Sequence, residues 1–370
     1  MHACLSSFLV LLALISHAMP AAAGDASAAD AWPLARGAAD GCGVAGGALP
    51  DKLEPAWTFA VENQGFSAGA VIAGDTVYVG STSGALYAVD LASGRKLWVY
   101  ESKSSFRTTP AFRAGRLFIG DQDGDFHCVD AATGKLVWKH TTDGEIYSPA
   151  NFYHDRVLFG SDDTSAYCLD AATGRLVWSF DMDDYVRCLP TITGNRGYFA
   201  GCSGSLHVID LDKGVSLAKI PIDGPTGCAA ALGKDRVYVG NEDDDILAVD
   251  LVTKAVVWRH KAGDAIRSSA AVTDDGVYVG SRDKKLRAFD PQTGRLLWEF
   301  TTRGMVDSSP VVVGERLFFG SQDGRIYGLD RRTGKEVWRF DAGGKIYASP
   351  AVAAGRLVIG SDAGKLYCFK

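Results

Sequence analysis

Gly320-Ser-Gln-Asp-Gly-Arg-Ile-Tyr-Gly-Leu-Asp330, with Arg331-Arg-Thr-Gly-Lys-Glu-Val-Trp338 following it, decides the reading of this chain. Moved back by forty residues, the pattern returns as Gly280, Asp290 and Trp298, and again as Gly240, Asp250 and Trp258. Earlier copies stand at Gly160, Asp170 and Trp178, at Gly120, Asp130 and Trp138, and at Gly80, Asp90 and Trp98. Between Asp170 and Asp250 the register holds but the copy is degraded, with Ala200 for the glycine and Ala218 for the tryptophan. The chain ends inside a further copy, Gly360-Ser-Asp-Ala-Gly-Lys-Leu-Tyr-Cys-Phe-Lys370. A fixed period of this size marks a repeat architecture, in which each unit buries its apolar faces against its neighbours.

Each full copy carries four strand signals between turn signals. In residues 303–341 they fall near Val306–Val313, Leu317–Gly320, Arg325–Asp330 and Lys335–Phe340, with Gln322-Asp-Gly324 as an Asp-Gly hairpin turn. No window sustains a helical period. Four strands in about forty residues is the blade of a β-propeller, and residues 51–370 hold eight such lengths. The expected fold is therefore all-β, an eight-bladed propeller of four-stranded blades. Pro55-Ala-Trp-Thr-Phe-Ala-Val61 reads as the last strand of a copy whose beginning is missing, and the C-terminal copy lacks such a strand. Pairing the two closes the ring and removes both open edges.

Three segments follow: a signal peptide over 1–23, an extended leader over 24–54 and the propeller over 55–370. The apolar core Phe8-Leu-Val-Leu-Leu-Ala-Leu-Ile15, then Pro20-Ala-Ala-Ala23, predicts export with cleavage near Ala23. Residues 24–53 are Ala- and Gly-rich with no period, and their deletion is expected to cost far less than that of Pro55–Val61. The net charge of −6 argues against nucleic acid as a partner. Cys4 leaves with the signal; Cys128, Cys168 and Cys368 share one repeat position and Cys188 and Cys228 another, and all five read as small buried residues.

The run Asp130-Ala-Ala-Thr-Gly-Lys-Leu-Val-Trp138 and its copies resemble the tryptophan-docking repeat of pyrroloquinoline quinone (PQQ) dehydrogenase propellers. They are also similar to the repeats of the BamB lipoprotein of outer-membrane assembly, and the resemblance covers residues 55–370. It implies either a protein-interaction scaffold in the cell envelope or a dehydrogenase using PQQ with calcium. The motif itself reads as structural. The Asp accepts from turn amides, the Gly supplies positive φ, and the Trp wedges between blades. Trp57, Trp98, Trp138, Trp178, Trp258, Trp298 and Trp338 are accordingly docking residues, and Trp298→Ala is expected to destabilise by roughly 3–5 kcal/mol.

Function then lies where the copies differ. One residue per blade at the start of each innermost strand gives Ser67, Arg107, Tyr147, Arg187, Gly227, Arg267, Asp307 and Tyr347. Innermost strands line the central channel, so Arg107, Tyr147, Arg187, Arg267, Asp307 and Tyr347 are candidates to hold a ligand or partner at its mouth. The turns Asn241-Glu-Asp-Asp-Asp245, Ser281-Arg-Asp-Lys-Lys285 and Asp181-Met-Asp-Asp184 read as solvated; none has calcium-loop spacing. His127 and His207 occupy the tyrosine position of the third strand, where packing explains them. No metal site, adjacent-cysteine pair, haem-attachment motif, phosphate loop or catalytic residue is placed. The expectation is an exported, monomeric, non-catalytic binding module with an envelope protein or small ligand as partner and no membrane insertion. The alternative is a PQQ-dependent dehydrogenase or its remnant. The leader does not place a lipidation cysteine, since Cys42 lies far beyond the apolar core.

Overall fold

The computed structural model describes residues 31–370, so the expected signal peptide lies outside the described residues. Eight four-stranded antiparallel sheets follow one another around a central axis. The second and third strands of a blade are almost continuously apolar, because each is covered on both faces by neighbouring blades. In the seventh blade, Leu317, Phe318, Phe319, Ile326 and Leu329 are all fully buried. The outermost strand alternates instead, with Val337 exposed and Trp338 half-buried, as expected of an edge with one wet face.

The ring closes as expected. Pro55–Ala60 pairs with Lys365–Phe369, placing Trp57 opposite Cys368 and Phe59 opposite Leu366. The eighth blade thus joins the two ends of the chain. The innermost strand differs from its expected extent, being Val311–Val313 where Val306–Val313 was read. Residues 306–310 direct their bonds sideways instead of along the ladder. Val306 N donates to Ser281 O, Ser309 N to Ser349 Oγ and Ser308 Oγ to Ala348 O. Adjacent blades are stitched together at the axis.

The Asp-x-x-Thr-Gly turns are built alike. Asp330 Oδ1 accepts the Thr333 hydroxyl at 2.7 Å and the Thr333 amide at 2.8 Å, and those bonds hold its carboxyl below the usual range. Each docking indole donates to a carbonyl of the next blade, as Trp298 Nε1 does to Arg331 O at 3.0 Å. Trp338 donates to Leu53 O at 3.0 Å, across the junction of the two chain ends. Trp258 is the most buried of the set, and the others are half-buried. None of the seven described cysteines is in a disulfide. Burial pushes the Cys188 and Cys228 thiols up to about 12.

The degraded fourth blade has a physical consequence. Ala218 leaves no indole to cover the following turn, and the glycine of that turn is replaced by Lys254, at φ 56. A cleft of about 120 Å³ lies there, lined by Arg196, Tyr198, Leu217, Ile220, Leu251 and Lys254. Restoring both partners, as Ala218→Trp with Lys254→Gly, should raise stability by about 0.5–2 kcal/mol through cavity filling. An increase in the urea midpoint at unchanged m-value is the expected readout, and a decrease would show that the cleft cannot accept an indole. In the same blade His207 is buried with neither ring nitrogen bonded, and burial lowers its pKa, as it does for His140 and His260. A base whose folded pKa is depressed stabilises the fold above its unfolded pKa. Stability should therefore decline as pH falls from about 7, and His207→Gln should flatten that slope in pH-dependent thermal melts.

Residues 31–54 pack into the propeller in an irregular path that crosses its axis. At the end of the axis opposite the ring of candidates, the innermost strands expose amides with no neighbour within the blade. The leader caps them in turn: Phe112 N donates to Pro33 O, Ile192 N to Ala39 O, Leu232 N to Asp40 O, Val272 N to Cys42 O and Val312 N to Gly43 O, at 2.8–3.0 Å. Trp32 bridges Ile72 with both backbone bonds. In the third blade Asn151 relays the contact, accepting from Phe152 N and donating to Ala39 O. Trp32, Leu34, Arg36, Leu49 and Leu53 are buried. The leader is thus packed and hydrogen-bonded along its described length, so its removal carries a cost of its own.

Candidate functional site

The eight residues read from the start of the innermost strands converge at the open end of the channel. Ser67, Arg107, Tyr147, Arg187, Gly227, Arg267 and Tyr347 line a basin of about 620 Å³. With Asp307 they also line a narrower chamber of about 190 Å³ directly below, whose floor includes Ala35 and Arg36 of the leader. The convergence follows from the fold, since a fixed register puts one repeat position at one height on every blade.

A second ring, which sequence reasoning did not assemble, partners the first. It consists of the residue that opens the turn between the second and third strands, and each sits beside the ring residue of the following blade. Arg187 makes a forked pair with Asp162, Nε to Oδ1 at 2.9 Å and Nη2 to Oδ2 at 2.5 Å, and these hydrogen bonds raise the Arg187 pKa. Its guanidinium also lies 4.8 Å from the Tyr147 ring centroid and 5.1 Å from that of Tyr185, within cation–π range. Arg267 pairs with Glu242 at 3.2 Å. Asp307 accepts from Arg282 at 3.3 Å and from Gln322 at 2.8 Å. Tyr147 Oη accepts from Gln122 Nε2 at 2.6 Å. The constant separation of 25 residues between partners was a legible signal, because opposite charges recur at it three times.

The pairing leaves two charged side chains of the basin without a salt-bridge partner among the described residues, the exposed Arg107 and Asp362. Tyr347 likewise makes no side-chain bond. Arg107 and Tyr347 are therefore the long side chains of the ring free to recognise something else, beside the small Ser67, whose buried hydroxyl is also unpartnered.

One group of potential metal ligands lies elsewhere. Asp121, Asp125 and His127 have ligand atoms within 4.8 Å of one another. Asp121 is fully engaged, with Oδ2 accepting from Ser102 at 2.6 Å and bonded to His127 Nε2 at 2.9 Å, and Oδ1 accepting the amides of Asp123 and Asp125. Burial pushes its carboxyl up, but these bonds outweigh it and the pKa ends below the usual range. His127 Nδ1 meets Tyr100 Oη at 2.9 Å. Asp121 and His127 form a closed hydrogen-bond pair where four other blades carry Ser and Tyr, and the Asp125 carboxylate is taken by Lys139 and Thr141.

A family model described as outer membrane protein assembly factor BamB matches residues 53–118, 92–231, 226–339 and 322–370. No curated protein matches the sequence. Among solved structures, BamB from Moraxella catarrhalis superposes with a TM-score of 0.73 at 19% identity, covering 86% of this chain and 98% of that one. A computationally designed protein, Ika8, gives 0.74 at 18% identity over 84% and 98%. Quinohemoprotein alcohol dehydrogenase from Comamonas testosteroni gives 0.79 at 15% identity over 94% and 81%. At these identities the likeness is one of fold.

Proposed function

Since the chain belongs to the BamB-type family of PQQ-repeat propellers, we propose that it is an exported, monomeric, non-catalytic binding module of the cell envelope. The basin at the channel mouth is its contact surface. Propellers present a rigid rim on which each blade contributes a different side chain, which suits recognition without chemistry. One observation carries the reading: Arg107 and Tyr347 are left unpaired in a ring whose other charges neutralise each other across blades. A partner gains most from a charge that the protein has not already satisfied. Among the described residues no helix is long and apolar enough to cross a membrane.

The test is site-specific crosslinking in cells. A photoreactive residue replacing Tyr347 should trap a partner, and Arg107→Ala should lower the yield about tenfold, the loss expected of one charge-assisted contact. The same probe at Val252, on the opposite face, should trap nothing. Trapping from Val252 alone would overturn the assignment of the mouth.

A quinone-dependent dehydrogenase is the second reading, favoured by three arginines around one basin and by the quinohemoprotein likeness. The guanidiniums suit the carboxylates of PQQ. The acidic groups beside them do not suit its calcium, because Asp162, Glu242 and Asp307 are each taken by an arginine and Asp362 alone is spare. Titration with PQQ, with and without Ca²⁺, followed by absorbance, separates the two readings: saturable binding weakened by Arg107→Ala or Arg187→Ala would favour the dehydrogenase.

A further inference from the structure

The floor of the channel contains a charge without a counter-ion. Arg36 is 3% exposed, and no carboxylate among the described residues pairs with it. Its Nη2 donates to Ala270 O at 3.0 Å and to Pro310 O at 2.8 Å, while Nε and Nη1 are buried with no partner. Burial pulls its pKa down to about 10, so the side chain stays cationic at neutral pH. Gly43 packs against it so closely that a Cβ there would lie 2.0 Å from Nη2. The leader therefore holds the guanidinium in place. A buried cation with unsatisfied N–H groups is expensive unless an anion or ordered water completes it.

The chamber around Arg36 is rich in donors. Thr109, Ser269, Ser309 and Ser349 line it, and each hydroxyl oxygen accepts a backbone N–H from the preceding blade at 2.9–3.0 Å. With an oxygen lone pair engaged, each hydroxyl keeps its proton to give. Ser67 and Thr108 also line the chamber, and their buried hydroxyls have no partner at all. The one carboxylate in the lining, Asp307, is held by Arg282 and Gln322.

We propose that this chamber binds a carboxylate, which completes the hydrogen bonding of Arg36, and that a ligand entering the mouth is anchored there by its acidic end. The second half rests on the reading of the mouth as a binding surface. A volume of about 190 Å³ admits a carboxylate and a short stem, with the rest of a larger ligand lying in the basin above, beside Arg107. Recognition would come from buried donors fixed before the ligand arrives, which lowers the ordering cost of binding.

The experiment is a titration of the purified exported protein with sodium acetate at pH 7.5, against sodium chloride of equal ionic strength, read by calorimetry and thermal shift. Acetate should bind saturably. Thr108→Val, which removes a hydroxyl with no partner in the folded chain, should keep the fold and weaken acetate roughly three- to tenfold, as for one hydrogen bond. Arg36→Met should abolish the binding. If Arg36→Met does not fold, the Thr108→Val result decides alone. Identical responses to acetate and chloride, or undiminished acetate binding by either variant, would overturn the site and assign its free N–H groups to water. Binding of inorganic phosphate in preference to acetate would overturn the carboxylate assignment. Failure of the mouth reading looks different: crosslinks from position 347 vanish while the acetate isotherm is unchanged.

Discussion

Removing the described residues up to Val61 leaves a chain with no cooperative unfolding transition at 25 °C. Pro55–Ala60 supplies the outer strand of the eighth blade, and its loss exposes the whole edge of Lys365–Phe369. Trp57 goes with it, and with Trp57 the bond to Leu91 O at 2.9 Å and the cover over Gly94 in the first blade. Phe59, 5.4 Å from the Tyr87 ring, is lost as well. Truncating one packed aromatic costs about 3–5 kcal/mol, and a whole domain holds only about 5–15 kcal/mol. Loss of the strand alone approaches that margin. A chain starting at Glu54 keeps the closure strand but strips the amide caps from the axis, and should fold with a urea midpoint lowered by at least about 1 M, a loss of a few kcal/mol at ordinary m-values. Far-UV circular dichroism against urea reads both. A sharp transition near the full-length midpoint in the shorter chain would refute the closure argument.

Gly334→Ala should destabilise by about 2–5 kcal/mol, a large effect for one methyl group. Gly334 has φ +70, and a Cβ there would lie 2.5 Å from Trp298 Cε3. The left-handed conformation alone costs a non-glycine residue about 1–3 kcal/mol, and overpacking against a fixed ring adds about 1–3 kcal/mol. Lys254 occupies the equivalent position in the fifth blade at φ 56, with Ala218 where the indole would be. Lys254→Ala should therefore stay within about 0.5 kcal/mol of the parent. Lys254→Gly changes the backbone preference with no indole present, and a gain there equal to the Gly334→Ala loss would mean that backbone conformation, and not the indole, makes the glycine necessary.

These paired sites show why so much of the fold was legible. A period of forty residues repeats the turn chemistry and the docking tryptophans together, so strand number, blade number and closure follow from one pattern. The exception at Ala218 carried its own mark in Lys254. The start of the innermost strand was less legible, because Val306–Pro310 bonds between blades and leaves no in-blade ladder for a strand pattern to express.

The site was legible where it obeyed the register. Reading one residue per blade found Arg107, Tyr147, Arg187, Arg267, Asp307 and Tyr347 without any structure, and they do line one opening. Their charge partners lay 25 residues away and went unread because Glu242 and Arg282 were taken as parts of turns and Asp162 was not singled out. Arg36 had no such signal. It sits in an aperiodic Ala- and Gly-rich stretch whose role is performed by carbonyl oxygens, and a backbone acceptor is common to every residue type.

The junction of the two chain ends also sets a clock. Trp57 and Cys368 are partners in the ladder but more than three hundred positions apart in the chain. Until the last strand is available, every earlier blade exists as part of an open arc. Contacts of such separation slow folding, since the intervening chain must be ordered before they form. Synthesis of the C-terminal strand must therefore precede the native state, and any factor that meets the chain earlier meets an unfinished ring.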